Sequence, residues 1–276
     1  MAHLIVVVKA GGDLAANPEW AASVANDIAA LHRDGHRVVL VHGGGPQLDD
    51  ALAADGLPIT KVAGRRTTPP EVLARAVQIW RGTLSVQWVT ALREAGVAGV
   101  GLCGSDGGLL VADVRPPREI DGTVVDFGEV GDLHTVDPTV LVALLKAHLV
   151  PVISPLAATS AGRVLNVNAD TVAAHVAAAL EADALVVLTR APGILTDPAD
   201  PSSLLAHTTL PELAELERTG AIRDGMRPKI AAIATALKRG VTRALVVDGR
   251  RPGAARNALS GVPGSGTAIA EGPARG

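Results

Sequence analysis

Two short apolar runs, each closed by a cluster of glycines, restrict the possible folds of this chain most severely. Leu4 to Val8 is a continuous β-branched run that leads into Lys9-Ala10-Gly11-Gly12, and Arg37 to Val41 leads into His42-Gly43-Gly44-Gly45-Pro46. Between them, Pro18 to Leu31 has helical spacing, so the segment reads as a β-α-β unit. Neither run alternates apolar with polar residues. Both faces of each strand must therefore be covered, which calls for a parallel sheet buried between two helix layers.

The alternation continues along the chain. A helical stretch from about Pro70 to Ala95 precedes the apolar run Val100-Gly101-Leu102, and the glycine-punctuated segment from Gly107 to Val136 predicts short antiparallel strands or hairpins, a β-rich insertion. A helix over Pro138 to Ala147, a strand over Val150 to Ile153, a helix from about Asn168 to Ala182 and a strand over Ala184 to Leu188 follow. Met226, Ile230, Ile233 and Leu237 share one helix face, ahead of the run Ala244 to Val247. Arg250 to Gly266, rich in Gly, Pro and Ser, reads as a loop before a last strand over Thr267 to Ile269. The expected fold class is α/β: doubly wound, with a mainly parallel central sheet and helices on both faces. At 276 residues the chain fits one large domain or two lobes sharing a sheet.

Composition removes several classes of function. A formal charge of −3 leaves no basic footprint for nucleic acid, and 48% hydrophobic with 19% charged residues argues against disorder. No run reaches membrane-spanning length and no basic segment precedes the first strand, so neither a membrane segment nor a signal peptide is expected. The single cysteine, Cys103, cannot form an internal disulfide and reads as a small buried hydrophobe, which suits a cytoplasmic protein. With one Phe, three Trp and no Tyr, a bound nucleotide would rest on backbone and aliphatic surface rather than on stacked rings.

Both glycine clusters end strands, where ligands bind in open α/β sheets. Glycines let backbone N–H groups approach an anion, a helix N-terminus adds partial positive charge, and Lys9 adds a full one. Gly43 to Gly45 can equally be a tight strand-to-helix turn with Pro46 early in the helix. The chain has no Walker P-loop, and no Gly-x-Gly-x-x-Gly follows the first strand. His42, in an apolar strand, reads as a core histidine, since no second His or Cys at metal-ligand spacing accompanies it.

Five blocks occur in the order and spacing of one family: Val8-Lys9-Ala10-Gly11-Gly12, Val41-His42-Gly43-Gly44-Gly45-Pro46, Gly64-Arg65-Arg66-Thr67-Thr68, Asn166-Val167-Asn168-Ala169-Asp170 and Asp224-Gly225-Met226-Arg227-Pro228-Lys229. Through them the chain resembles the amino-acid kinase family from Lys9 to Thr267, and within it the members that phosphorylate N-acetylglutamate. The resemblance implies an N-terminal lobe, residues 1–156, for acyl amino acid binding and dimerisation. It also implies a C-terminal lobe, residues 157–276, for ATP binding over one continuous sheet. The implied reaction moves the γ-phosphoryl group of ATP, the co-substrate, to the γ-carboxylate of N-acetylglutamate in arginine biosynthesis. Mg2+ is expected through the ATP phosphates, with no protein metal site.

By the same resemblance Lys9 contacts the transferring phosphoryl group, Lys229 stabilises the leaving phosphate, and Asp170 orients both ammonium groups. Read alone, Asp170 also suits a helix first turn, and Lys229 a solvated helix face. Gly11, Gly12, Gly44 and Gly45 would donate backbone N–H groups to phosphoryl oxygens, with Gly44 and Gly45 also against the acyl substrate. Arg66 would grip the substrate α-carboxylate, with Arg65 the adjacent alternative, and Asn166 would bind that carboxylate or the acyl amide. Thr189, Arg190, Gly193, Gly225 and Met226 mark the nucleotide-binding region. Three positions depart from the family pattern: Arg190 stands where Asp is usual, Ser85 where Asn is expected, and Asp13 where a small neutral residue is common.

Two rival readings accompany this one. The chain could phosphorylate aminoadipate or glutamate carried on an amino-group carrier protein, which Gly45 and the short Val62 to Thr68 segment disfavour, or be an inactive ligand-binding regulator of the same fold. Similar kinases inhibited by arginine carry a helix before the first strand, and here only Met1, Ala2 and His3 precede Leu4. The expectation is a homodimer joined through N-terminal lobes, with the sheet continuing across a two-fold axis and no feedback inhibition by arginine. The C-terminal tail, Glu271 to Gly276, is short and helix-poor and is not expected to take over the role of that helix.

Overall fold

The computed structural model describes residues 3–62, 64–222 and 225–272. Strand β1 (Ile5–Ala10) runs into a short helix α1 (Gly12–Ala16) and a longer α2 (Pro18–Arg33); β2 (Arg37–His42) then leads to α3 (Gly45–Ala54). A hairpin of β3 (Lys61–Val62) and β4 (Arg65–Arg66) precedes α4 (Pro70–Val77), a π-helical turn (Gln78–Leu84) and α5 (Ser85–Glu94). After β5 (Gly99–Leu102) come β6 (Leu110–Val114), β7 (Arg118–Ile120), β8 (Thr123–Val125) and β9 (Gly131–Val136). The chain continues through α6 (Thr139–Lys146), β10 (Val150–Ile153), β11 (Leu156–Ala158), β12 (Val164–Asn166), α7 (Ala169–Ala179) and β13 (Ala184–Thr189). It closes with β14 (His207–Thr209), α8 (Leu210–Arg218), α9 (Arg227–Lys238), β15 (Arg243–Asp248), α10 (Ala254–Leu259) and β16 (Thr267–Ala270).

Eight strands form the central sheet in the order β14-β16-β15-β13-β1-β2-β10-β5. Neighbours are parallel except β15 and β16. Successive strand residues point to opposite faces, and the core divides accordingly. Val7, Val39, Val41, Val187 and Val246 pack with α6, α7 and α9 on one side, while Val6, Val8, Leu40, Val186 and Val247 pack with α2, α3, α5 and α10 on the other. Each such valine is almost fully buried, worth about 1.5–3 kcal/mol relative to an exposed one. This two-sided burial is the α/β sandwich that the unbroken apolar runs require.

The β-rich insertion is present, as a four-stranded sheet β12-β11-β6-β9 with a separate β7-β8 hairpin. Two of its strands, β11 and β12, come from a stretch in which the sequence reading saw no element, and they carry Asn166 to the insertion, where Val130 bridges to it. The stretch from Pro70 to Glu94 is helical throughout but opens into π-helical geometry over Gln78–Leu84.

One expectation is corrected. Arg250 to Gly266 is not all loop, because it contains α10. That helix has no cap from its own sequence; the buried Asp27 carboxylate on α2 accepts from the N–H groups of Ala255 (2.6 Å) and Arg256 (3.1 Å). Burial raises the Asp27 pKa and these two N–H groups work against that rise. A cap supplied from a distant helix leaves no local trace in a Gly- and Pro-rich segment.

Candidate active site

The C-terminal ends of β1, β2 and β13 lie side by side, and β1 sits where the strand order reverses, since its chain neighbour β2 is on one side and β13 on the other. Lys9, next to the last residue of β1, is registered with Val41 and Val187 and is buried. Its ammonium lies 2.8 Å from Asp170 Oδ1, in the first turn of α7. The Asn168 side chain caps that helix by accepting from the Asp170 and Thr171 N–H groups at 2.8 and 3.2 Å, which fixes where the carboxylate sits. From the first turn of α9, Lys229 brings a second ammonium to 3.9 Å from Asp170 Oδ2 and donates to the Gly225 carbonyl at 3.2 Å.

One carboxylate therefore bridges two lysines from separate elements. Burial alone would raise the Asp170 pKa, but the ammonium groups of Lys9 and Lys229, with a hydrogen bond from Lys9, hold it below the usual carboxylate range. Burial lowers the Lys229 pKa; Asp170 opposes that and the Lys9 charge adds to it. Two unit charges about 4 Å apart interact by about 4 kcal/mol at an effective dielectric of 20, enough to hold the lysines in register. The three groups carry one net positive charge in a largely dry site, which suits an anion that gains charge as it reacts.

Around them the glycines divide into two kinds. Gly12 and Gly44 pack against each other, and a Cβ on Gly12 would come within 3.0 Å of the Gly44 Cα. A Cβ on Gly44 would overlap Trp80 and Leu84. At Gly11 and Gly45 an added Cβ would meet nothing within 4 Å, so these two line open space. Gln47, early in α3, ties the loops together by donating to the Gly12 carbonyl at 2.7 Å.

Strand alternation in the β3-β4 hairpin separates the two candidate arginines. Arg66 is half-buried, donates through Nη2 to Asp49 and to the Gly45 carbonyl (3.4 Å), and its buried Nη1 has no hydrogen-bond partner among the described residues. A buried guanidinium nitrogen without an acceptor calls for one, and a carboxylate has the matching planar geometry. Arg65 turns elsewhere, to a region holding Arg115, Arg118 and Asp132; burial and then those two arginines lower its pKa. Asn166 donates to Thr68 Oγ1 at 2.9 Å, which brings it beside the end of the same hairpin.

On the C-terminal side, Thr189 closes a local turn by accepting the Ala191 N–H at 3.0 Å and donating to the Ala191 carbonyl at 2.9 Å. Arg190 pairs with Asp13 at 3.1 Å, so two of the three departures from the family pattern compensate each other's charge. The third, Ser85, is buried against Gly101. Gly193 is not open: it packs on Thr267 and Leu204 with φ 158°, so its glycine is explained by packing. Gly225 supplies the carbonyl under Lys229, and Met226 stands at the N-cap position of α9 without a side-chain cap. Asp224, from the same block, lies outside the described residues.

Lys9, Asp170, Lys229, Asp13 and Arg190 thus converge, while Arg66, Asn166 and Gly45 form a second group joined to the first through the glycine loops. Asp49, Gln47, Trp80 and Ser154 also hold this region and were missed from sequence. Nothing local marks them, since each acts on a loop or residue contributed by another element. His42 is fully buried between Gly43 and Ser154, and burial lowers its pKa to about 4. Among the described residues no group of three His, Cys, Asp or Glu side chains is arranged to hold a metal, and no helix is long and apolar enough to cross a membrane.

Comparison with known proteins gives this geometry a context. The sequence pattern of the amino acid kinase family matches residues 4–248. The acetylglutamate kinase of Myxococcus xanthus is 44% identical over 269 residues, covering 95% of this chain and 87% of that protein. That of Methanothrix thermoacetophila is 38% identical over 265 residues, covering 96% and 92%. Among solved structures, N-acetylglutamate synthase from Neisseria gonorrhoeae, complexed with coenzyme A and N-acetyl-glutamate, aligns at a TM-score of 0.83 and 30% identity over 98% of this chain, which spans 60% of that one.

Proposed function

Since this chain belongs to the amino acid kinase family, we propose that it phosphorylates the γ-carboxylate of N-acetyl-L-glutamate with ATP, giving N-acetylglutamyl 5-phosphate and ADP, a step of arginine biosynthesis. The observation that carries the reading is Asp170 set between Lys9 and Lys229 at the strand ends. A side-chain carboxylate, with a reference pKa near 4.3, is already an anion at neutral pH and needs no general base. A carboxylate oxygen forms the new P–O bond to the γ-phosphorus while the bond from that phosphorus to the β,γ-bridging oxygen breaks, and ADP leaves with the electron pair. The obstacle is repulsion between anions. Lys9 meets it beside the transferring group and Lys229 beside the leaving phosphate, with Asp170 holding both, which is catalysis by position and charge.

Backbone N–H groups of Gly11, Gly12, Gly44 and Gly45 serve the phosphoryl oxygens, and Gly44 and Gly45 also border the acyl substrate. Arg66 binds its α-carboxylate, for which the unpartnered Nη1 is the support, and Asn166 the same carboxylate or the acyl amide. Thr189, Arg190, Gly193, Gly225 and Met226 border the nucleotide, and Mg2+ arrives with ATP as part of the co-substrate. The proposal includes the two lobes, 1–156 for the acyl amino acid and 157–276 for ATP, sharing the central sheet. A homodimer through the edge at β5, the terminal strand on the N-terminal side, and a cytoplasmic location also belong to it.

Hydroxamate trapping of the acyl phosphate tests the reaction. ATP, magnesium and N-acetylglutamate are expected to give an iron-staining hydroxamate, with free glutamate and free aminoadipate giving far less. Equal or better turnover of the free amino acids would reject the substrate, and no hydroxamate with any of them would reject the enzyme.

A further inference from the structure

The glycine turn after β2 is gripped by side chains that the proposed chemistry does not use. In a planar trans peptide the carbonyl oxygen of one residue and the N–H of the next point in opposite directions, so holding the carbonyl also aims the N–H. Two such grips act on consecutive peptides. Trp80 Nε1, on a buried ring, donates to the Gly44 carbonyl at 2.9 Å; that oxygen also accepts the Leu48 N–H at 3.1 Å in the first turn of α3, and the two bonds together aim the Gly45 N–H. His42 Nδ1 lies 3.2 Å from the Gly43 carbonyl, whose peptide carries the Gly44 N–H.

Donor accounting leaves two arrangements for the His42 proton. At neutral pH the buried ring is uncharged and has one N–H to give. Its Nε2 faces Ser154 Oγ at 3.2 Å, and that oxygen also lies 3.1 Å from the Trp80 carbonyl. The Ser154 hydroxyl has one hydrogen, which it can give either to the Trp80 carbonyl or to Nε2; the Trp80 carbonyl also accepts the Ser85 N–H across the π-helical turn. With hydrogen on Nδ1, the ring donates to Gly43 and accepts from Ser154, whose oxygen then faces the Trp80 carbonyl without a hydrogen between them. With hydrogen on Nε2, the ring donates to Ser154 and Ser154 to the Trp80 carbonyl, and the Nδ1 lone pair faces the Gly43 oxygen; only the Nδ1–H arrangement makes the ring a grip on the Gly43 peptide, and that is the one the clamp requires.

The turn depends on this arrangement sterically as well. A Cβ at position 44 would overlap the Trp80 ring, whereas one at 45 would meet nothing within 4 Å. Trp80 sits in the π-helical turn, a local opening of the kind frequent at functional sites. We propose that Trp80 and His42 are positioning residues, a clamp on two successive peptide planes that aims the Gly44 and Gly45 N–H groups at the transferring phosphoryl group. The identity of that group rests on the kinase reading above; the clamp itself does not.

The test pairs backbone relaxation of the ligand-free protein with steady-state kinetics. Trp80→Phe keeps the ring and removes the Nε1 donor. With the Leu48 N–H still on the Gly44 carbonyl, we expect the Gly45 amide order parameter to fall measurably below about 0.85, with Gly96 as an unaffected control. We also expect kcat to fall about tenfold while KM for ATP stays within about threefold. His42→Asn, which keeps a donor near the Nδ1 position, should hold Gly44 and kcat closer to wild type than His42→Gln, whose amide reaches the Nε2 position. Wild-type order parameters and kcat in Trp80→Phe, with or without a lower Tm, would overturn the clamp, as would equal behaviour of the two His42 variants. If the wild-type protein fails to phosphorylate N-acetylglutamate, the relaxation data still decide the clamp and the failure falls on the substrate assignment alone.

Discussion

Two carboxylates each hold cations at the mouth of the same sheet, and they differ mainly in burial. Lys9 and Asp170 have side chains 6% and 8% exposed, whereas Arg190 and Asp13 are 63% and 46% exposed. The first pair is screened little by solvent; leaving one of its charges without the other costs about 3–5 kcal/mol, while an exposed pair is worth about 0–1 kcal/mol. The buried group is therefore built to hold a fixed geometry. The rim pair can exchange partners cheaply, as the proposed function requires of Arg190.

The largest expected effect breaks the buried group. Lys9→Ala or Lys229→Ala should lower kcat by roughly 10²–10³ with the fold retained by circular dichroism, the loss associated with removing a preorganised charge stabiliser. Activity within about threefold of wild type in a folded variant would take that lysine out of the mechanism. Asp170→Asn sharpens the point, since it leaves the buried Lys9 and half-buried Lys229 ammonium groups without their counter-charge. It should lower both kcat and the urea unfolding midpoint.

Next in size comes the substrate side. Arg66→Lys should raise KM for the acyl amino acid far more than KM for ATP, because an ammonium cannot reproduce the planar guanidinium fork. If Arg65→Lys gives that pattern and Arg66→Lys does not, the side of the hairpin that meets substrate is reversed.

A smaller signal lies in pH. The folded pKa of Lys229 is depressed by burial, so its ammonium is lost as pH rises through a value below the ordinary lysine figure of about 10.4. The alkaline limb of kcat/KM, which reports the free enzyme, should therefore begin below that figure and move upward in Lys229→Arg. A limb unchanged by this substitution would assign it to another group.

The rim pair should show the least. Arg190→Ala alone leaves Asp13 uncompensated where the proposed function puts the phosphates and is expected to raise KM for ATP severalfold, and Asp13→Asn in the same protein should recover most of the loss. Additive losses would mean that the two charges act independently.

The parts of this arrangement visible in the sequence are those with local causes. Unbroken apolar runs marked β1 and β2, and glycines marked the turns after them, because burial and backbone freedom leave their signature at the position itself. Helix α8 was overlooked although its signal was present: Thr209 and Glu212 form a capping box around Pro211. Other features depend on partners far away in the chain. Ser154 meets His42 across 112 residues, Trp80 meets Gly44 across 36, and Asp27 caps α10 across 228. The choice between Arg65 and Arg66 was likewise closed to sequence, since it turns on which face of a two-residue strand looks inward.

The central claim, that Lys9, Asp170 and Lys229 move a phosphoryl group onto a carboxylate, is tested most directly by phosphorus NMR of a reaction containing ATP, magnesium and N-acetylglutamate. The wild-type protein should produce an acyl phosphate resonance in step with ADP, and Lys229→Ala should yield neither at a comparable rate. ADP formed with inorganic phosphate and no acyl phosphate at any time, or an acyl phosphate formed as fast by Lys229→Ala, would contradict it.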